Sequence, residues 1–226
     1  MKKIFITFLI ISANIFAQNF TVEKVSGKVQ VLHGTSEKYV AVKSGDTLNG
    51  NDLLITDDKS FIQLNKSGNR FILQSNSALG LNYIKEISIN DLLLALAAEE
   101  IRRVPRNENK GNSKNTAVYG EEIKASSSIL ITEDLMGIKK LNGAKQLAES
   151  GYKESAVIVA KETYRKYPST KNKIDERIYF ADVLVDLNLF SEAYEEFSEL
   201  KKYAGDFSSS EVISKRLELL KSKIGN

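Results

Sequence analysis

The stretch SGDTLNGNDLLITDDKS, residues 44 to 60, decides how the first half of the chain folds. Two pairs, Gly45-Asp46 and Asn51-Asp52, stand six residues apart and are followed by an aliphatic triplet and further acids. These acids either form a cation-binding loop or belong to the tight turns of a β domain. The acids in question are Asp46, Asp52, Asp57 and Asp58.

The spacing of these aspartates favours turns over a metal loop. An EF-hand loop needs oxygen ligands at alternating positions, a central glycine and a distal bidentate glutamate. Here the apolar residues 53 to 55 interrupt the acids, and no glutamate follows at the required distance. Aspartate beside Gly or Asn is typical of tight turns, because its side chain accepts hydrogen bonds from nearby backbone. We therefore expect no metal here, and a buried strand over residues 53 to 56.

The same pattern of short strand-like runs separated by turn residues extends from Phe20 to Ile84. Short runs of β-branched and aliphatic residues, many of them alternating with polar ones, are separated by Gly, Asn, Asp and Ser. Strands this short and closely spaced predict an all-β domain, either a sandwich or a rolled sheet.

The N-terminus, MKKIFITFLIISANIFA, has the composition of a secretory signal peptide over residues 1–17. We expect cleavage near Ala17 and a mature chain with no membrane span that is periplasmic, outer-membrane-associated or secreted. Lys2 and Lys3 are two of the 32 basic side chains, against 29 acidic ones, so the mature chain is nearly neutral. This balance gives no reason to expect nucleic acid as a partner. With no cysteine, stability has to come from packed cores.

A helix is predicted at 90–103, with Asn90 as its N-cap and acids early and arginines late, which suits the helix dipole. We expect it to pack against the β domain, with docking of a partner as the alternative. A polar loop, 105–116, follows, and then strand-like segments at 116–120 and 126–132. The predicted β domain therefore spans 18–134 and contains this helix and loop as an insertion.

From 135 to 226 the periodicity is helical, and one pattern recurs after 37 residues. Small residues allow two helices to approach closely, and Gly or Asn permits the turn between them. This segment resembles two tetratricopeptide repeats closed by a helix over about 210–223; a plain helical bundle is the alternative. The first unit has Ala144, Leu147, Gly151, Ala156, Ala160 and Pro168, and the second has Ala181, Leu184, Asn188, Ala193, Phe197 and Gly205.

The β region resembles the FecR domain family, which has repeated Gly-Asp turns followed by Thr and alternating strands. A second segment, TAVYG at 116 to 120, is similar to that family's later Thr-Ala-Val-Arg-Gly-Thr, with Tyr119 at the position of the arginine and Glu121 at that of the last threonine. The residues of the main match are Gly27, Val29, Val42, Gly45, Asp46, Leu48, Asn51, Asp52, Leu54, Ile55, Thr56, Ser60, Ile62, Leu64, Gly68, Phe71, Leu73, Ser77 and Leu79.

The FecR resemblance implies an extracytoplasmic, non-catalytic β domain that senses or binds. The best-known members relay the state of an outer-membrane transporter across the inner membrane to a sigma factor. We expect no cytoplasmic domain in this chain and no membrane span after signal cleavage. The resemblance therefore implies only the sensing or binding module, and not the relay across the membrane.

Short enzymatic motifs in the sequence have a structural explanation. Ser-x-x-K occurs twice, at Ser150 to Lys153 and at Ser198 to Lys201, and the predicted hairpin repeats account for both. The single histidine, His33, lies between two predicted strands and is expected to be a solvated loop residue. There is no phosphate-cradling glycine loop and no nucleophile elbow. We therefore predict no catalytic residues and no cofactor.

Two binding hypotheses follow. In the first, the helical half holds an envelope protein or a peptide segment, with the first helix of each hairpin lining a groove. Mapped through the 37-residue register, this face contains Lys145, Glu149, Asp182 and Asp186. The second half of the groove, with Asp182 and Asp186, is acidic and favours a basic partner. In the alternative, the β domain binds a cell-wall glycan through Tyr39, Tyr83 and Tyr119, and the helices act as a spacer.

Overall fold

The computed structural model describes residues 19–103, 133–203 and 207–225. The predicted signal peptide, the loop at 105–116, the strand segments at 116–120 and 126–132, Tyr119 and Gly205 lie outside these ranges. The described part of the chain is mixed α+β, with the strands first. The strands are β1 (Asn19–Ser26), β2 (Val29–Leu32), β3 (Tyr39–Ala41), β4 (Thr47–Asn49), β5 (Leu53–Thr56), β6 (Phe61–Lys66), β7 (Asn69–Leu73) and β8 (Ala78–Gly80).

The strands form two antiparallel sheets of four strands each, in the orders β4-β1-β6-β7 and β3-β2-β5-β8. Alternate side chains point inward, as the sequence pattern predicts. Phe20 and Leu64 from the first sheet share one hydrophobic core with Val31 and Leu54 from the second. Strand β5 is the predicted LLIT segment, and its last three residues are buried.

Two aspartates of the opening stretch have the turn role that the sequence predicts, and each accepts from backbone that precedes it in the chain. The carboxylate of Asp46 accepts the N–H of Lys43, and that of Asp52 accepts the N–H of Asn49, each three residues earlier. Asp57 pairs with Lys139 from a helix, at 3.1 Å. Gly45 has a φ of 91°, which a glycine adopts without strain.

In the described ranges, six α-helices follow the strands. Predicted turn residues Gly151 and Asn188 separate the helices of two hairpins, with φ angles of 92° and 60°. The first hairpin is α2 and α3, the second is α4 and α5, and α6 packs mainly on α5. The helices are α1 (Ile89–Arg103), α2 (Glu133–Glu149), α3 (Lys153–Lys166), α4 (Ile174–Asp186), α5 (Phe190–Leu200) and α6 (Phe207–Ile224).

Helix α1 differs from the prediction in its cap and in its neighbour. Ser88, rather than Asn90, caps it, because the Ser88 hydroxyl accepts the N–H of Asp91 and donates to the Asp91 carboxylate. Its main packing partner is α3 rather than a sheet. Leu92 is fully buried in the shared core, and Glu99 bonds Arg165 of α3.

Helix α2 joins the helices to the second sheet. The buried ammonium group of Lys139 donates to the Thr56 carbonyl, at the end of β5. Gln146 accepts the N–H of Gln74 at 2.6 Å and donates to the Ser77 hydroxyl at 2.7 Å. Gly143 lies so close to β8 that a Cβ there would be 2.4 Å from the Ala78 carbonyl oxygen. Sheets and helices therefore pack as one body around a continuous core.

None of the helices in the described ranges is both long enough and apolar enough to cross a membrane.

Candidate functional site

The first helices of the two hairpins bring together a patch centred on a tyrosine. Lys145 of α2 places its ammonium group 5.4 Å from the ring centroid of Tyr179 on α4, within the range of a cation–π contact. The same ammonium lies 3.8 Å from the Glu176 carboxylate. Lys145 was predicted to face a partner, and here it bridges the two hairpins.

Three of the four predicted groove residues surround this ring. Burial of the ring, together with the negative charges of Glu149 and Asp186, raises the pKa of Tyr179. Glu149 is exposed at the end of α2, and Asp186 is exposed at the end of α4. We call Lys145, Glu149, Tyr179, Asp182 and Asp186 the Tyr179 patch.

The two acids of the patch that lie on α4 are matched by cations that the repeat register did not place there. The Asp182 carboxylate forms a two-point ion pair with Arg216 of α6, at 2.8 and 3.1 Å. The Asp186 carboxylate lies 2.8 Å from the ammonium of Lys153, on α3. The second half of the predicted groove is therefore less acidic than the sequence of α4 alone indicates.

Tyr179 itself was not identified from the sequence. The available signal was its position three residues before Asp182, which places both residues on one face of α4. Its ring also packs edge to face on Phe180, with centroids 5.1 Å apart. This contact holds the ring in place at the surface.

The tyrosines of the glycan hypothesis contact different parts of the protein. The Tyr83 hydroxyl donates to the Glu162 carboxylate of α3 at 2.7 Å, and burial together with this contact raises the pKa of Tyr83. Tyr39, on β3, packs against the small apolar cluster that contains Ile55 and Ala78. Tyr119 lies outside the described residues.

His33 has a specific partner, whereas a merely solvated loop residue was expected. Its Nδ1 lies 3.1 Å from Asp52 Oδ2, and the imidazole is about half exposed while the Asp52 side chain is only 3% exposed. Because the same carboxylate oxygen also accepts the Asn49 N–H, Asp52 orients both the turn and the imidazole.

A buried ion cluster on the other face of α4 was also not identified from the sequence. Arg177 donates through Nε and Nη2 to Glu196 Oε1 of α5, at 3.0 and 2.8 Å, and Lys161 of α3 bonds the second oxygen of Glu196. Burial alone would raise the pKa of Glu196, but the charges and hydrogen bonds of Lys161 and Arg177 lower it below its ordinary value. Helical spacing was the available signal, because Arg177 stands four residues before Ala181 and Glu196 three after Ala193.

No family model, curated protein or solved structure matches this chain, so its function is inferred from the geometry of the described residues.

Proposed function

We propose that this chain is an exported, non-catalytic binding protein of the cell envelope. Its helical hairpins hold an envelope protein or peptide segment, and its FecR-like β domain senses or anchors. The observation that carries the proposal is the Tyr179 patch, in which an aromatic ring is held between hairpins and rimmed by charges of both signs. Aromatic anchors surrounded by polar groups are typical of protein interfaces, and the charges select the partner.

The position of α2 supports a sensing or anchoring role for the β domain. One side of this helix contributes Lys145 and Glu149 to the patch. Another side bonds the turns of the second sheet through Lys139, Asn142 and Gln146. A partner that shifts α2 would therefore act directly on the β5 and β8 ends of that sheet.

The test is affinity capture from detergent-solubilised envelope and from purified cell wall, with the mature full-length chain as bait. The patch variant combines Glu149→Lys with Asp186→Lys, because both side chains are exposed and Asp182 is left to hold Arg216. The matched control combines Glu211→Lys with Glu218→Lys, two exposed residues of α6 with the same change of charge.

We expect a specific envelope polypeptide to be retained by the wild type and the control and lost from the patch variant. Retention of the same polypeptide by all three baits would place its binding site elsewhere and contradict the proposal. If only wall material is retained, and equally by all three, the chain is a wall-binding module and the helices are a spacer.

A further inference from the structure

Helix α1 has a second apolar face, on the side away from its buried residues. Leu92 and Glu99 point into the protein and are buried, whereas Leu94 and Ile101 are 70% and 75% exposed. No other large apolar side chain in the described ranges is as exposed as these two. Since α1 packs mainly on α3, the packing within those ranges leaves this face uncovered. Contiguous exposed apolar side chains mark sites of contact with other molecules.

The spacing of the exposed residues is that of a helix–helix contact. Leu94 and Ile101 are seven residues apart, about two turns of helix, and Ala97 lies between them and is also exposed. Ala98, beside it, is partly buried. Small side chains in the middle of such a face let another helix approach closely, while the larger ones pack at its two ends. We call Leu94, Ala97, Ala98 and Ile101 the outer face of α1.

The charges along one edge of the outer face of α1 indicate which helix fits it. Asp91 in the first turn and Arg102 in the last are eleven residues apart, about three whole turns, so they lie along the same edge. Two copies of α1 packed antiparallel across a two-fold axis bring this edge of one helix beside the same edge of the other. With Leu94 opposite Ile101 of the partner subunit, Asp91 and Arg102 of the partner subunit are offset by only about 3 Å along the axis. The helix is therefore complementary to a second copy of itself.

Both charged side chains are able to form this second contact. Asp91 is exposed, and its Oδ2 accepts the Ser88 hydroxyl. The Arg102 side chain is 58% exposed and donates through Nη1 to Glu99. Because a guanidinium has five N–H donors, Arg102 has donors left for the carboxylate of a partner.

We propose that two copies of this chain pair through the outer face of α1 in antiparallel orientation. Leu94 of each copy packs against Ile101 of the other, with the alanines at the crossing. Asp91 and Arg102 form two ion pairs along one edge, and the contact is closed by two copies. It is separate from the Tyr179 patch, which lies on α2 and α4, so neither proposal depends on the other.

Sedimentation velocity of the full mature chain over a range of concentrations measures the association. Leu94→Glu with Ile101→Glu places unpaired carboxylates in the contact, and we expect it to raise the dimer dissociation constant about tenfold or more. The matched control is Val212→Glu with Leu219→Glu on α6, where the two side chains are also seven residues apart and are 42% and 48% exposed. The control should dimerise as the wild type does.

Charge reversal tests the antiparallel arrangement. Asp91→Lys and Arg102→Glu, each alone, bring like charges together twice in a homodimer, so each should weaken self-association about fivefold or more. Mixed in equal amounts, the two variants should form a heterodimer with close to wild-type affinity, because each of the two pairs then joins opposite charges. A loss of folding in either variant could not produce this rescue.

A wild type that is monomeric at the highest concentration its solubility allows would overturn the inference. A lower melting temperature of Leu94→Glu with Ile101→Glu than of the control would then show that another part of the same chain covers the face, and an equal one would assign the face to a different protein. A dimer that persists in Leu94→Glu with Ile101→Glu uses another surface. Failure of the mixed charge variants to associate would exclude the antiparallel pairing.

Discussion

Two neighbouring glutamates on α5 show how surroundings decide what a residue does. Glu196 is buried and bonded by Arg177 and Lys161, whereas Glu195 is exposed. We predict that Glu196→Gln lowers the free energy of unfolding by about 3 kcal/mol, because it removes the negative charge that the buried Arg177 and the partly buried Lys161 share. Glu195→Gln should change the same quantity by less than about 0.5 kcal/mol. Chemical denaturation measures both, and equal effects would contradict the role given to the buried ion cluster.

The same cluster predicts how stability depends on pH. Glu196 and Glu99 both have a pKa below the ordinary value of 4.5. Burial alone would raise each pKa, but Lys161 and Arg177 outweigh this effect at Glu196, and Arg165 and Arg102 outweigh it at Glu99. In acid, the unfolded chain binds these protons first, so the stabilisation is complete above about pH 5 and is lost as the pH falls through the lowered pKa values.

We therefore expect the melting temperature to fall steeply between about pH 5 and about pH 3, with a shallower fall in Glu196→Gln. Thermal melts followed by circular dichroism at a series of pH values measure this. A variant whose profile runs parallel to that of the wild type would show that Glu196 does not contribute to the acid transition.

At the level of elements, local chemistry made the strands and turns predictable. Asp52, Gly151 and Asn188 mark turns because of their own side chains or their tolerance of positive φ, and these are properties that sequence reveals. Contacts between elements are different. The partners of Asp182 and Asp186 come from α6 and α3, so no register within α4 could reveal them. The same is true of Glu99, whose partner Arg165 is 66 residues away.

The close packing of helix α2 against strand β8 depends on Gly143, and this predicts the effect of a larger residue at that position. Alanine is better than glycine in a helix by about 1 kcal/mol, so Gly→Ala inside a helix normally stabilises it. At Gly143 the new Cβ would lie 2.4 Å from the Ala78 carbonyl oxygen, which is backbone and cannot rotate away. We expect Gly143→Ala to destabilise the protein by about 1–3 kcal/mol.

The control for this substitution is Gly225→Ala, whose Cβ would meet only the Lys221 carbonyl oxygen, at an ordinary 3.4 Å. Urea denaturation of both variants compares them directly. Wild-type stability in Gly143→Ala would mean that α2 can move away from the sheet without cost.

At the level of the whole molecule, the sequence predicted two units divided near residue 134, and the contacts show how closely the parts on either side are joined. Leu79 of β8 and Leu141 of α2 belong to the same buried core, and Lys139 buries its charge against the Thr56 carbonyl. Composition and periodicity change sharply near that residue, which is what a sequence can reveal. Whether two such segments share a core depends on matching surfaces. Here Gly143 lies against β8, and Gln146 bonds the β7–β8 turn.

This shared core predicts that the two parts do not fold separately. We expect fragments 18–132 and 133–226, produced alone, to lack cooperative thermal unfolding, because each would expose the apolar surface that the other covers. Mixed in equal amounts they should associate and regain a cooperative transition, measured by circular dichroism and size-exclusion chromatography. If fragment 18–132 alone melts at the temperature of the intact chain, the interface made by α2 contributes little stability. The coupling of the Tyr179 patch to the second sheet would then lose its physical basis, since a weakly attached helix could not pass a displacement to β5 and β8.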